Sequence, residues 1–162
     1  MSIYDYDDDF KTYDNDPKLR KQLGQVWTPY EIICRMMDKL DKSTWEDPTK
    51  TILEPTMGTG NIVISILYRR IVEHKMEPVA ALSTVFGIEM DPVTYNHCIV
   101  RIRAFMQHFC DAVDMEFVED ILKYNFVCSD FFKWNIGEWR PKTAEEIAAE
   151  TKVVRKKKSS TR

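Results

Sequence analysis

Apolar positions along this chain alternate between two rhythms. Thr28-Pro29-Tyr30-Glu31 reads as a capping box with proline at the first helical position, and Ile32, Ile33, Met36, Met37 and Leu40 follow at helical spacing, predicting a helix over about 29–40. A polar linker with Pro48 leads into the short apolar run 51–54, then into Pro55-Thr56-Met57-Gly58-Thr59-Gly60 and an apolar-rich helix over about 61–74. That is strand, glycine turn, helix. A second strand is expected over 84–89, after which Asp91 caps and Pro92 opens a helix with the face Tyr95, Ile99, Ile102, Phe105, Met106 and Phe109. A helix over 112–123, a third short strand over 126–128 and a second capping box at Thr143-Ala144-Glu145-Glu146 complete the pattern. Strands alternating with helices predict a parallel sheet of the α/β class.

With 162 residues, 44% hydrophobic and 30% charged, the chain has the size of one domain. Its net charge of −3 hides an asymmetry: residues 1–16 hold six acids and one lysine, and residues 152–162 hold six bases and no acid. This divides it into an acidic N-terminal arm (1–17), a central domain (18–140) and a C-terminal helix with a basic tail (141–162). Such a tail can contact nucleic-acid phosphates through counterion release or simply be solvated, and both readings stand. Cys34, Cys98, Cys110 and Cys128 form no CxxC pair, and His74, His97 and His108 lack metal-ligand spacing, so reduced core thiols and no metal site are expected. No run approaches the roughly 20 apolar residues of a membrane span, and the N-terminus is acidic where a secretory signal is basic. A cytoplasmic protein is the expectation.

In an open parallel sheet, ligands sit beyond the carboxyl ends of the strands. Here those ends carry Glu54 with the glycine turn, Glu89 and Asp130, an ordered set that describes a nucleoside pocket. Gly58 and Gly60 let backbone approach a ligand at a helix start, although the pair alone also fits an ordinary tight turn. A carboxylate ending the second strand can accept both ribose hydroxyls. Glu89 lies 29 residues after Gly60, where the dinucleotide fingerprint places its acid roughly 20 on, and the turn lacks G-x-G-x-x-G, which disfavours NAD. Without a GK[ST] triplet, nucleoside triphosphates fit poorly too.

These residues resemble the S-adenosylmethionine-dependent N6-adenine DNA methyltransferases whose motifs run in the order X, I, II, III. GQVWTPYEI (Gly24 to Ile32) is similar to motif X, ILEPTMGTGN (Ile52 to Asn61) to motif I, FGIEMDP (Phe86 to Pro92) to motif II and CSDFFKW (Cys128 to Trp134) to motif III. The resemblance implies a Rossmann-like class I methyltransferase fold of which only the cofactor-binding half is present, about three parallel strands with flanking helices. It implies S-adenosyl-L-methionine as cofactor. Thr28 would help hold the methionine carboxylate, and the turn from Glu54 through Pro55, Met57, Gly58 and Gly60 would wrap the methionine and sulfonium part. Glu89 would hold the ribose, Met90 would pack on the adenine ring, Asp130 would accept its amino hydrogens, and Phe131 would stack on or edge against it. Thr28 is equally explained as a helix N-cap, and Asp91 with Pro92 reads better as a helix start. Phe132 and Trp134 read as core or interface aromatics.

The resembled family also uses an Asn/Asp-Pro-Pro-Tyr/Phe motif after a fourth strand to hold and stack the flipped adenine. This sequence has no Pro-Pro, and the 32 residues after Asp130 offer neither that strand nor a target-recognition domain, so no catalytic residue is assigned. The leading expectation is an S-adenosylmethionine-binding relative whose methyl transfer to DNA adenine needs a second chain. The rival is a non-catalytic decoy, sensor or regulatory subunit of a restriction-modification system. An enzyme that degrades the cofactor is a third reading, for which no distinctive nucleophile is found. Because the family's sheet places the first strand centrally, its loss of a neighbour here would make it an edge, and a homodimer or a partner chain completing the sheet is expected.

Overall fold

The computed structural model describes residues 2–16, 18 and 27–150, and its N-terminal acids belong to the folded body. After a 3-10 turn at Ile3–Asp5, helix α1 (Asp8–Tyr13) starts from Asp7, whose Oδ1 accepts the Phe10 N–H at 2.8 Å. Ile3 and Phe10 are fully buried in the common core. Helix α2 (Tyr30–Met37) lies inside the expected 29–40, but its cap differs from the sequence expectation. Pro29 is the N-cap residue in an extended conformation and Thr28 does not cap; the Tyr30 N–H instead donates to Asp14 Oδ2 at 3.0 Å. The boundary moves one residue on, and a carboxylate from the N-terminal segment takes the first free N–H. Asp14 also accepts from Trp27 Nε1 at 2.7 Å and from the Tyr4 hydroxyl at 3.2 Å.

Helix α3 (Ser43–Glu46) buries Trp45 before strand β1 (Ile52–Glu54). The next helix, α4 (Asn61–Tyr68), continues as a π-helical turn at Arg69–Glu73, so the expected 61–74 changes winding partway. Helix α5 (Pro78–Ser83) is an element the hydrophobic pattern did not name, with Glu77 accepting from the Val79 and Ala80 N–H groups. Strand β2 (Val85–Glu89) and helix α6 (Pro92–Met106) follow, α6 capped by Asp91 as expected. Helix α7 (Ala112–Asn125) runs into strand β3 (Phe126–Cys128). After a 3-10 turn at Phe131–Lys133, β4 (Trp134–Asn135) and β5 (Arg140–Pro141) form a small antiparallel pair, and residues 144–150 form helix α8. The expected capping box is present: Thr143 N–H donates to Glu146 Oε2 at 2.7 Å, and Glu146 N–H to Thr143 Oγ1 at 3.3 Å. The basic stretch 152–162 and residues 24–26 of the first motif lie outside the described residues.

The main sheet is parallel with order β1-β2-β3, pairing Ile52 with Val85, Leu53 with Phe86, Ile88 with Val127 and Glu89 with Cys128. Ile52, Val85 and Phe126 share the face that packs on the main core with Ile64, Leu67, Ile102 and Phe105. The other face carries Leu53 and Phe86 and is only partly covered. Trp139 edges against Phe86 at 4.8 Å, and with Leu53, Tyr124 and Ile136 it lines an apolar groove beside β1 of about 340 Å³. Among the described residues, β1 has β2 as its one sheet neighbour. No helix among them is long and apolar enough to cross a membrane.

Candidate functional site

The turn after β1 folds back onto the end of β2. Met57 N–H donates to Ile88 O at 2.9 Å, and Gly58 N–H donates to Glu89 Oε2 at 2.9 Å. The other Glu89 oxygen accepts the Asp91 N–H at 2.8 Å, so one carboxylate ties the glycine turn to the start of α6. Each oxygen still has acceptor capacity toward a ligand. Asp91 in turn accepts from the Thr94 N–H at 2.8 Å and the Thr94 hydroxyl at 2.6 Å, which lowers its pKa.

Between these walls lies a cleft of about 320 Å³, within the range of roughly 300 to 1,000 Å³ of small-molecule sites. It is lined by Thr56 to Thr59 of the turn, Asn61 and Ile62 at the start of α4, Glu89, Asp91 and Thr94 at the end of β2 and the start of α6, and Trp27 with Thr28 before α2. Gly60 is required where it stands: its φ is +99°, and a Cβ there would lie 2.7 Å from Cys98 Sγ. Burial pushes the Cys98 thiol up to about 12, so it is a neutral packing group beneath the turn. No side chain caps α4, whose first two residues, Asn61 and Ile62, line the cleft. At the end of β1, burial raises the Glu54 pKa against the lowering effect of its bonds from Thr56 N–H and Oγ1 at 3.2 and 3.3 Å.

The structure therefore brings Thr28, Met57, Gly58 and Glu89 together on the cleft, with Glu54, Pro55 and Gly60 in the connecting turn. Met90 is 69% exposed and lies outside the lining, as do Asp130 and Phe131. Asp130 Oδ1 accepts the Phe132 N–H at 2.9 Å, starting the 3-10 turn, and Phe131 edges against Phe132 at 5.5 Å.

A comparison with family models decides the kinship: the model of N-6 DNA methylase matches residues 11–121, more than half of the chain. The chain belongs to the N-6 DNA methylase family. No curated protein and no solved structure matches it. The matched segment contains the whole cleft and stops short of Asp130 and Phe131. The three-stranded parallel sheet with its helices is accordingly a partial Rossmann-like methyltransferase fold.

Thr56 and Thr59 line the cleft within the expected turn, while sequence reasoning missed Trp27, Asn61, Ile62 and Thr94 as cleft residues and took Asp91 only for a helix start. Asn61 had a usable signal, as the polar residue opening an otherwise apolar helix. It is buried, donating Nδ2–H to Thr28 O at 3.1 Å and accepting from Arg101 Nη1 at 2.8 Å.

Proposed function

We propose that the cleft binds S-adenosylmethionine or S-adenosylhomocysteine, and that this chain is the cofactor-holding part of an adenine N6 DNA methyltransferase completed by a second chain. The observation that carries this reading is the Glu89 carboxylate, held in the cleft by the Gly58 and Asp91 N–H groups, in a member of the N-6 DNA methylase family. The residues fit the cofactor: Glu89 accepts the ribose hydroxyls, the turn around Gly58 admits the methionine part, and the uncapped start of α4 with Thr28 receives its carboxylate. When bound, S-adenosylmethionine supplies a sulfonium-activated methyl group. In this reading Met90 packs on the adenine ring, Asp130 accepts its amino hydrogens and Phe131 stacks on or edges against it.

One feature supports the second chain: among the described residues β1 has an open side, with an apolar groove lined by Leu53 and Phe86 beside it. In this reading a second copy or a partner polypeptide pairs with β1.

Incubation of the purified chain with methyl-labelled S-adenosylmethionine, with and without DNA, tests the reading. Label held by the protein and none on DNA is expected. Label on DNA adenine from this chain alone would contradict the need for a second chain.

A further inference from the structure

Resting on that reading of the cleft, we propose that the N-terminal segment is a strap that fixes the shape of the cofactor turn, with Arg101 as the positioning residue through which it acts. Arg101 projects from the middle of α6 and is 6% exposed. Its Nη2 and Nε donate to the two oxygens of Asp7 at 2.8 and 3.2 Å, while its Nη1 donates to Thr59 O at 2.7 Å and to Asn61 Oδ1 at 2.8 Å. One planar guanidinium thus joins the N-terminal segment, the glycine turn and the first residue of α4. The rings of Phe10 and Trp27 each lie 5.4 Å from its central carbon.

The contact with Thr59 matters most. The carbonyl of the Thr59–Gly60 peptide is held by Arg101 and its N–H by Met57 O at 2.9 Å, so both ends of that peptide unit are pinned. Its orientation sets the positive φ of Gly60 and hence the direction in which α4 leaves the turn. The hold extends to Trp27 and Thr28, because Asn61 Nδ2 donates to Thr28 O and Asp14 accepts from the Trp27 indole. Asp7 itself is fixed by capping α1 and does not line the cleft. The strap therefore reaches the turn and Trp27 through Asp7, Asp14 and Arg101, none of which lines the cleft.

A lysine at 101 keeps the charge but cannot serve Asp7, Thr59 and Asn61 in one plane. Asparagine at 7 keeps the shape and removes one of the two carboxylates paired with the guanidinium, leaving Asp9, whose Oδ2 lies 3.2 Å from Arg101 Nε. The test combines calorimetric titration of S-adenosylhomocysteine with amide hydrogen exchange of the ligand-free protein, on wild type, Arg101→Lys and Asp7→Asn. For Arg101→Lys we expect affinity weakened by about ten-fold or more, and faster exchange at the Gly58 and Gly60 amides while Ile102 and Phe105 stay protected. Asp7→Asn should show the same pattern to a smaller degree, and it decides alone if the lysine variant does not fold. Wild-type affinity and wild-type turn exchange in either folded variant would overturn the proposal. Equal loss of protection in turn and core in both variants would also overturn it, since the pair would then serve the fold alone. A wild type that takes up no cofactor would defeat the reading of the cleft, whereas the exchange contrast between turn and core would still decide the strap.

Discussion

Glu89 and Glu54 end neighbouring strands, yet their surroundings give them different work. Glu89 receives two backbone N–H groups and stays placed as an acceptor in the cleft. Glu54 is governed by burial, which raises its pKa. A carboxyl whose folded pKa lies above its unfolded value binds more protons folded than unfolded, so stability falls as pH rises from the unfolded value through the folded one. Glu54→Gln should therefore raise the thermal midpoint at pH 7, and the gain should close as pH falls toward about 4.3, the ordinary glutamate value. Thermal melts of both proteins across that window check this; a glutamine variant that is less stable at pH 7 would mean that the charge is wanted there. The sequence identified both acids by their place at strand ends. It gave no sign of the difference, which depends on what the turn and α6 place around each.

The elements were legible where one local signal sufficed. Each strand of the main sheet lies within one residue of its expected limits, and Asp91 caps α6 as its position before Pro92 implies. What failed was local reading of a contact made elsewhere: Thr28 has the right chemistry to cap α2, but Asp14 reaches that N–H first. The π-helical turn after α4 is similar, since the local pattern there fits a mix of core and solvated positions and does not mark its Arg70 as fully buried. Arg70 donates to Thr44 O at 2.8 Å, Lys50 O at 2.7 Å and the Thr84 hydroxyl at 2.6 Å, joining α3, the start of β1 and the approach to β2. Arg70→Met keeps much of the volume and strands those buried acceptors, so it should cost about 3 kcal/mol in denaturant unfolding. A loss under about 0.5 kcal/mol would mean the carbonyls find other donors.

At the scale of the molecule, the sequence separated an acidic arm from a domain by charge, while Ile3, Phe10 and the Asp7–Arg101 pair pack that segment into the common core. A pairing across 94 residues leaves no periodic trace in a sequence. Among the described residues β1 has the open side the sequence predicts, and its register sharpens the test of what pairs there. Ile52 N–H already donates to Thr84 O, so the parallel ladder turns the Leu53 N–H and C=O outward. Light scattering with exchange at Leu53 should show fast exchange in dilute monomer and slowing on association; a 19.1 kDa species with Leu53 strongly protected would contradict a strand-pairing partner. The central claim, that the cleft is a cofactor site organised by Glu89, is tested most directly by calorimetric titration of S-adenosylhomocysteine into wild type and Glu89→Ala. The account predicts one saturable site in the wild type and, at roughly 1.5 to 3 kcal/mol for a charged hydrogen bond, binding weakened about ten-fold or more in the variant. No heat with the wild type, or equal affinity in the two, would contradict it.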